Sequence, residues 1–132
     1  MTPTKTALAT TLLLSALAPA AAFGAGVSSQ PKLGGNPQMR LVDSHHANIE
    51  FASDRLPRTA SGKLDAKVIF VNGAKVTGLK AVGTHGSDIR YQALVSSSKT
   101  IREHAKYTVK FRLGDSPPVT RFVKVFLPGE HG

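Results

Sequence analysis

Short runs of alternating apolar and polar residues constrain the fold of this chain more than any other feature. In the clearest run, residues 107–113, Tyr107, Val109, Phe111 and Leu113 alternate with polar residues. Successive side chains of a β-strand point to opposite faces of a sheet, so this alternation predicts a strand with one buried face. Further runs with turn residues between them predict about seven short strands and an all-β fold.

The residue pair Asn72-Gly73 lies directly between two apolar runs, residues 63–71 and 74–79. Asn-Gly is favoured in a two-residue type I′ turn, because both central residues of that turn take positive φ. The sequence therefore predicts a β-hairpin here. Its expected cross-strand pairs are Val71 with Ala74, Ile69 with Val76, and Ala66 with Leu79.

Residues 100–111 resemble the E–F corner and the start of strand F in immunoglobulin-like domains of bacterial exported proteins. In such domains a tyrosine at the start of strand F bonds back to the preceding turn, and Tyr107 occupies the matching position. The resemblance implies a single immunoglobulin-like antiparallel β-sandwich of about seven strands over residues 39–132. The chain has no Cys and no Trp, so the disulfide and core tryptophan of antibody domains are absent. The resemblance therefore concerns architecture and implies no function.

The amino-terminal residues are typical of a secretory signal peptide. Lys5 precedes an apolar run at residues 7–18, and small alanines follow at residues 20–22. That run is about a dozen residues, short of the ~20 that a membrane-spanning helix needs. We expect cleavage after Ala22, with Ala25 as the alternative, and no transmembrane segment in the mature chain.

Residues 23–38 follow the predicted signal peptide and are rich in Gly, Ser and Pro, without an apolar period. This composition predicts a flexible tether before the domain. Small secreted animal domains commonly depend on disulfides, so an exported chain without Cys favours a bacterial periplasm or cell surface. We therefore expect a periplasmic or secreted bacterial protein.

The charge balance is strongly basic, with 17 Lys+Arg against 8 Asp+Glu and a formal net charge of +9. A net charge of this sign favours association with anionic partners. In a periplasm these are lipopolysaccharide, phospholipid headgroups, acidic polysaccharide and acidic proteins. Nucleic acid is not expected, because export removes the protein from it and stacking aromatic residues are scarce.

Basic residues at outward positions of the predicted strands form the leading candidate site. They are Arg90, Lys106, Lys110, Arg112, Arg121 and Lys124. If their strands are neighbours, the charges form one basic face for an anionic partner; the alternative is a solvated surface whose lysines deter aggregation. The last predicted strand, residues 119–127, is the expected open edge for an extended partner.

Histidines provide the alternative function, a periplasmic copper or zinc protein. His45, His46 and His85 are candidate ligands, with Met39 in support, because imidazole is a common metal ligand and Met favours Cu(I). Adjacent histidines on a strand point to opposite faces, so His45 and His46 chelate together only in a turn. Exposed loop histidines without a metal are the competing interpretation.

Enzymatic motifs are scarce. The chain has no Cys nucleophile and no Gly-x-Ser-x-Gly sequence, and its nearest Ser/His/Asp group, at residues 85–88, lies on one short loop. We therefore predict a protein that is not an enzyme and has no required cofactor. The leading expectation is an exported binding or assembly module that uses a basic sheet face or an edge strand.

Overall fold

Seven β-strands account for most of the computed structural model, which describes residues 30–130. The strands are β1 (Leu33–Asp43), β2 (His46–Ser53), β3 (Ala66–Phe70), β4 (Lys75–His85), β5 (Asp88–Ser96), β6 (Lys106–Leu113) and β7 (Val119–Phe126). They form one mixed sheet in the order β3-β6-β7-β1-β2-β5-β4, which curls into a nearly closed, barrel-like shape. The prediction of an all-β domain with seven strands is confirmed.

Strand β1 pairs with a neighbour on each side. It runs antiparallel to β2, with Met39 opposite Ile49, and parallel to β7, with Met39 beside Val125 and Arg40 beside Phe126. The other neighbouring strands are antiparallel. The prediction of a purely antiparallel arrangement is therefore wrong at the β1–β7 pair, because alternation within a strand carries no information about the direction of its neighbours.

The predicted hairpin at Asn72-Gly73 does not form. Strand β3 pairs with β6, and β4 pairs with β5, so β3 and β4 are the two open edges of the sheet. Gly73 has φ 87°, but His104 is the only non-glycine residue with positive φ between residues 30 and 130, so Asn72 does not adopt the type I′ conformation. Instead the Asn72 side-chain oxygen accepts a hydrogen bond from the Ala74 amide at 3.0 Å, in a turn that carries the chain from one edge to the other.

Strand β1 begins at Leu33, inside the segment predicted as a tether. The unit that contains the strands starts at Pro31, whose carbonyl accepts a hydrogen bond from the Ser116 hydroxyl at 2.7 Å. A pairing irregularity between Gly34 and Gln38, with Gly35 at φ 61°, explains why this strand lacks a regular sequence period. The domain therefore begins before the predicted Met39. The predicted signal peptide, residues 1–22, and residues 23–29 lie outside the described residues.

The interior of the sheet is filled by aromatic and β-branched side chains. The ring of Phe51 lies 5.3 Å from that of Phe111, edge to face, and 5.7 Å from that of Tyr91. The Tyr91 hydroxyl accepts a hydrogen bond from the Leu56 amide at 3.0 Å, so this buried polar atom is satisfied. Tyr107, the candidate corner tyrosine, is only partly buried, with its ring 6.2 Å from that of Phe70.

The predicted burial pattern of β6 is confirmed for Val109, Phe111 and Leu113, all of which are buried. Alternation predicts them correctly because burial of one sheet face has the same two-residue period as the strand itself. No helix within residues 30–130 is long and apolar enough to cross a membrane.

Two phenylalanines on neighbouring strands provide a direct test of this core. Phe111 is 0% exposed and Phe122 is 74% exposed. We expect Phe111→Ala to lower the free energy of unfolding by about 3–5 kcal/mol, because it removes a buried ring and leaves a cavity. The control Phe122→Ala should change it by no more than about 0.5 kcal/mol. Urea unfolding followed by circular dichroism measures both values, and equal losses would contradict the assigned faces.

Candidate functional site

The outer surface of β3, β6 and β7 carries a concentration of basic side chains. Buried residues alternate along these strands, so the residues between them point outward. We call this surface the basic face, and it consists of Lys67, Ile69, Val71, Lys106, Thr108, Lys110, Arg112, Thr120, Phe122 and Lys124. It covers about 20 by 10 Å, as strand rise and strand spacing dictate.

Strand register places several of these cations directly beside one another. Lys106 lies opposite Lys124 across the β6–β7 pair, and Arg112 lies opposite Lys67 across the β3–β6 pair. Side chains at directly opposed positions have Cβ atoms about 5 Å apart, and like charges there are destabilising. The free protein therefore holds these charges together at a cost that a bound anion would relieve.

Within residues 30–130, no lysine of the basic face forms an ion pair with an acidic side chain. Each ion pair in the described part of the chain joins an acid to an Arg or a His, and no Lys takes part there. Arg112 is the exception on this face, with Nη2 3.2 Å from Asp65 Oδ1. Lys106, Lys110 and Lys124 are exposed, and Glu130 lies near enough to Lys124 to interact with it electrostatically. The positive charge of the face is therefore only partly offset.

An exposed apolar row crosses the same face. Val71 donates its amide hydrogen to the Thr108 carbonyl at 3.1 Å, and Thr108 lies opposite Phe122 on β7. Val71 and Phe122 are 67% and 74% exposed, and Ile69, in the neighbouring row beside Lys110, is 47% exposed. Sequence reasoning missed these three residues and Lys67. The available signal was the phase of β7, which places Phe122 opposite in direction to Val123 and Val125.

The predicted basic residues divide into two groups. Lys106, Lys110, Arg112 and Lys124 come together on the basic face, whereas the remaining two lie elsewhere. Arg90, on β5, has its Nε 3.1 Å from Glu50 Oε2 on the outer side of other strands.

Arg121 lies opposite the buried Val109, and so does not share the outward direction of Lys124. Its guanidinium donates a hydrogen bond to the Thr120 carbonyl at 3.1 Å. The prediction of β7 as an open edge is also wrong, because β7 lies between β6 and β1.

The three candidate metal ligands lie at opposite ends of β2. His46 is at the start of β2, opposite Ser96, while Ser53 at the other end of β2 lies opposite Ile89, near His85 at the end of β4. The seven residue steps from His46 to Ser53 span about 23 Å. Met39 is 1% exposed in the core. A shared site of His45, His46 and His85 is therefore not formed, and no three His, Asp or Glu side chains within residues 30–130 group to hold a metal.

His45 and His46 instead organise the β1–β2 turn around Asp43. The His45 amide donates to Asp43 Oδ1 at 2.8 Å, and His46 Nδ1 lies 2.8 Å from the same oxygen. The amide hydrogen bond of His45, followed by the ring of His46, lowers the pKa of Asp43 from its usual 3.8. His85, by contrast, lines a cleft of about 330 Å³ with Gln38 and Arg90.

The sequence matches no protein-family model and no curated protein.

Acid should remove the contribution of Asp43 to stability. Its pKa is lower in the folded protein than in the unfolded chain, so the stabilisation is present above the unfolded value of 3.8 and is lost as pH falls through the folded value. We expect the Asp43 carboxyl carbon to titrate with a midpoint below 3.8 by NMR. Asp43→Asn should lose less stability than the parent protein on acidification. A midpoint at or above the ordinary value would contradict the turn geometry.

Proposed function

We propose that this protein is an exported, non-enzymatic binding module that engages an anionic partner through the basic face. The observation that carries the proposal is the set of exposed lysines, Lys106, Lys110 and Lys124, which the register gathers on one surface. None of them forms an ion pair within the described residues 30–130. Their charges are held in place by backbone pairing, so no segment has to fold on binding to bring them together.

The basic side chains lie close enough together to act in groups rather than as isolated charges. Neighbouring rows of the face lie about 6.6 Å apart along each strand. The Debye length at physiological ionic strength is about 8 Å, so charges within the Lys106–Lys124 row reinforce one another, as do those of Lys110 and the adjacent row of Arg112 and Lys67. The row of Thr108 and Phe122 separates these two groups by about 13 Å along the strands. An anionic partner therefore meets two positive groups on one face, and their field raises its rate of association.

We also propose that the nearly closed sheet is an immunoglobulin-like sandwich. Its order groups β1, β2, β5 and β4 on one side and β3, β6 and β7 on the other. That grouping agrees with strands ABED and CFG of immunoglobulin domains, if the strands are lettered in chain order. In this description β1 joins the two groups, and the basic face is the outer surface of the CFG sheet.

Export is the part of the proposal that rests on sequence. The charged start, short apolar run and small residues of positions 1–22 support a cleaved signal peptide, and the absence of Cys supports a bacterial periplasm or cell surface. A basic binding module in that compartment would meet anionic envelope components or acidic proteins.

Matched charge reversals test the proposed function with heparin as a polyanionic probe. We expect Lys110→Glu with Lys124→Glu to weaken binding about tenfold or more, since each Lys near an anionic surface contributes about 1 kcal/mol and 1.4 kcal/mol is tenfold. The control, Lys80→Glu with Lys99→Glu, changes net charge equally on β4 and in the β5–β6 connection. Isothermal titration calorimetry at several salt concentrations measures the affinities.

The control pair should retain most of the affinity and most of its salt dependence. Equal weakening by the two pairs would show that heparin responds to net charge alone. That result would contradict a function localised on the basic face.

A further inference from the structure

Apolar and cationic side chains are interleaved on the basic face in successive rows. The row formed by Val71, Thr108 and Phe122 lies between the Lys106–Lys124 row and the row that contains Lys110. Phe122 and Val71 are among the most exposed large apolar side chains in the described part of the chain. A partner that contacts the whole face must therefore offer an apolar region to Phe122 and Val71, and anionic groups to the lysines on either side of them.

The excess of Lys over Arg on the basic face favours a lipid surface over another protein as its partner. Interfaces between proteins are enriched in Arg and depleted in Lys. The basic face has the reverse composition, and its one arginine, Arg112, is already bonded to Asp65 and to the Gly114 carbonyl. Lysine is a compact charge on a long flexible stem, so it can follow mobile headgroups while its methylene groups cover apolar surface.

A second copy of this chain is a poor occupant of the same face. Pairing two basic faces would bring Lys106, Lys110 and Lys124 of one copy against the equivalent lysines of the other. Like charges placed together across an interface are strongly unfavourable. Self-association through this face is therefore disfavoured, and the row of Val71 and Phe122 stays exposed for a partner of opposite charge.

We infer that the basic face binds the surface of an anionic phospholipid bilayer. Phe122 and Val71 enter the boundary between headgroups and acyl chains, while Lys106, Lys110 and Lys124 lie at the level of the lipid phosphates. This inference rests on the proposed function, because it names the anionic partner of the same face. It requires the sheet to approach the membrane with its β3-β6-β7 side.

A local fluorescence reporter tests this orientation in the full chain. The sequence contains no Trp, so Phe122→Trp introduces a single indole at the exposed apolar row. The probe is vesicles of phosphatidylcholine with phosphatidylglycerol, compared with phosphatidylcholine alone. A local reporter is needed because the apolar residues 7–18 can themselves attach the chain to a vesicle.

The matched control is Leu94→Trp on β5, where Leu94 is 37% exposed on the outer side of other strands. We expect the indole of Phe122→Trp to shift to shorter wavelength, and to be quenched by acyl-brominated lipid, only with the anionic vesicles. The indole of Leu94→Trp should not respond. Adding Lys106→Ala, Lys110→Ala and Lys124→Ala to Phe122→Trp should weaken the response at least tenfold.

Three results overturn the inference. An unchanged indole in Phe122→Trp, with amide spectra that show an intact fold, excludes insertion of the row. Equal responses from Phe122→Trp and Leu94→Trp exclude a specific orientation, and equal responses to neutral and anionic vesicles exclude headgroup charge as the cause. If the indole is silent but heparin binding still depends on Lys110 and Lys124, the bilayer inference fails while the proposed function stands. If the indole is silent and heparin binding does not depend on Lys110 and Lys124, the bilayer inference and the proposed function both fail.

Discussion

Backbone pairing on both sides of β1 is the constraint on which the rest of the structure depends. The first strand of the domain pairs antiparallel with β2 and parallel with the last strand, β7. This arrangement makes β7 an interior strand, with Val123 and Val125 fully buried against the core. A guanidinium hydrogen bond from Arg40 to the Glu130 carbonyl adds a side-chain link between the beginning and the end of the domain. The remaining open edges, β3 and β4, face a cleft of about 280 Å³ that is lined by Val68, Val76 and Leu79 among others.

The same pairing determines what the protein presents to its surroundings. With β6 paired to β7 between β3 and β1, the two-residue period of the strands places Val109 in the core and Lys110 on the outer surface. The core supplies the stability that tolerates Lys106 beside Lys124 and an exposed Phe122. In the proposed function, this cost in the free protein favours the bound state, because an anionic partner neutralises the lysines and covers the aromatic ring.

Local sequence patterns correctly predicted which side of a strand is buried. They did not predict which strands pair, because pairing depends on residues that are far apart in the chain. Residues 107–113 reveal their buried side because alternation is a property of one strand. The hairpin predicted at Asn72-Gly73 is wrong, because a residue pair that favours a tight turn carries no information about which strands pair. Here β3 pairs with β6, and β4 pairs with β5. Residues 33–38 lacked a period because β1 is irregular there. Four of the six basic residues share a face only through strand order, and the histidines separate for the same reason.

Strand neighbours are most directly tested by cross-strand nuclear Overhauser effects in the isotopically labelled protein. We expect contacts between Val68 and Phe111, between Thr108 and Phe122, and, across the parallel pair, between Met39 and Val125. Together these contacts place β6 between β3 and β7, and so establish the basic face. Contacts between Ile69 and Val76, in place of those between β3 and β6, would show the hairpin suggested by sequence. That result would separate Ile69 and Lys67 from Lys110 and contradict the account.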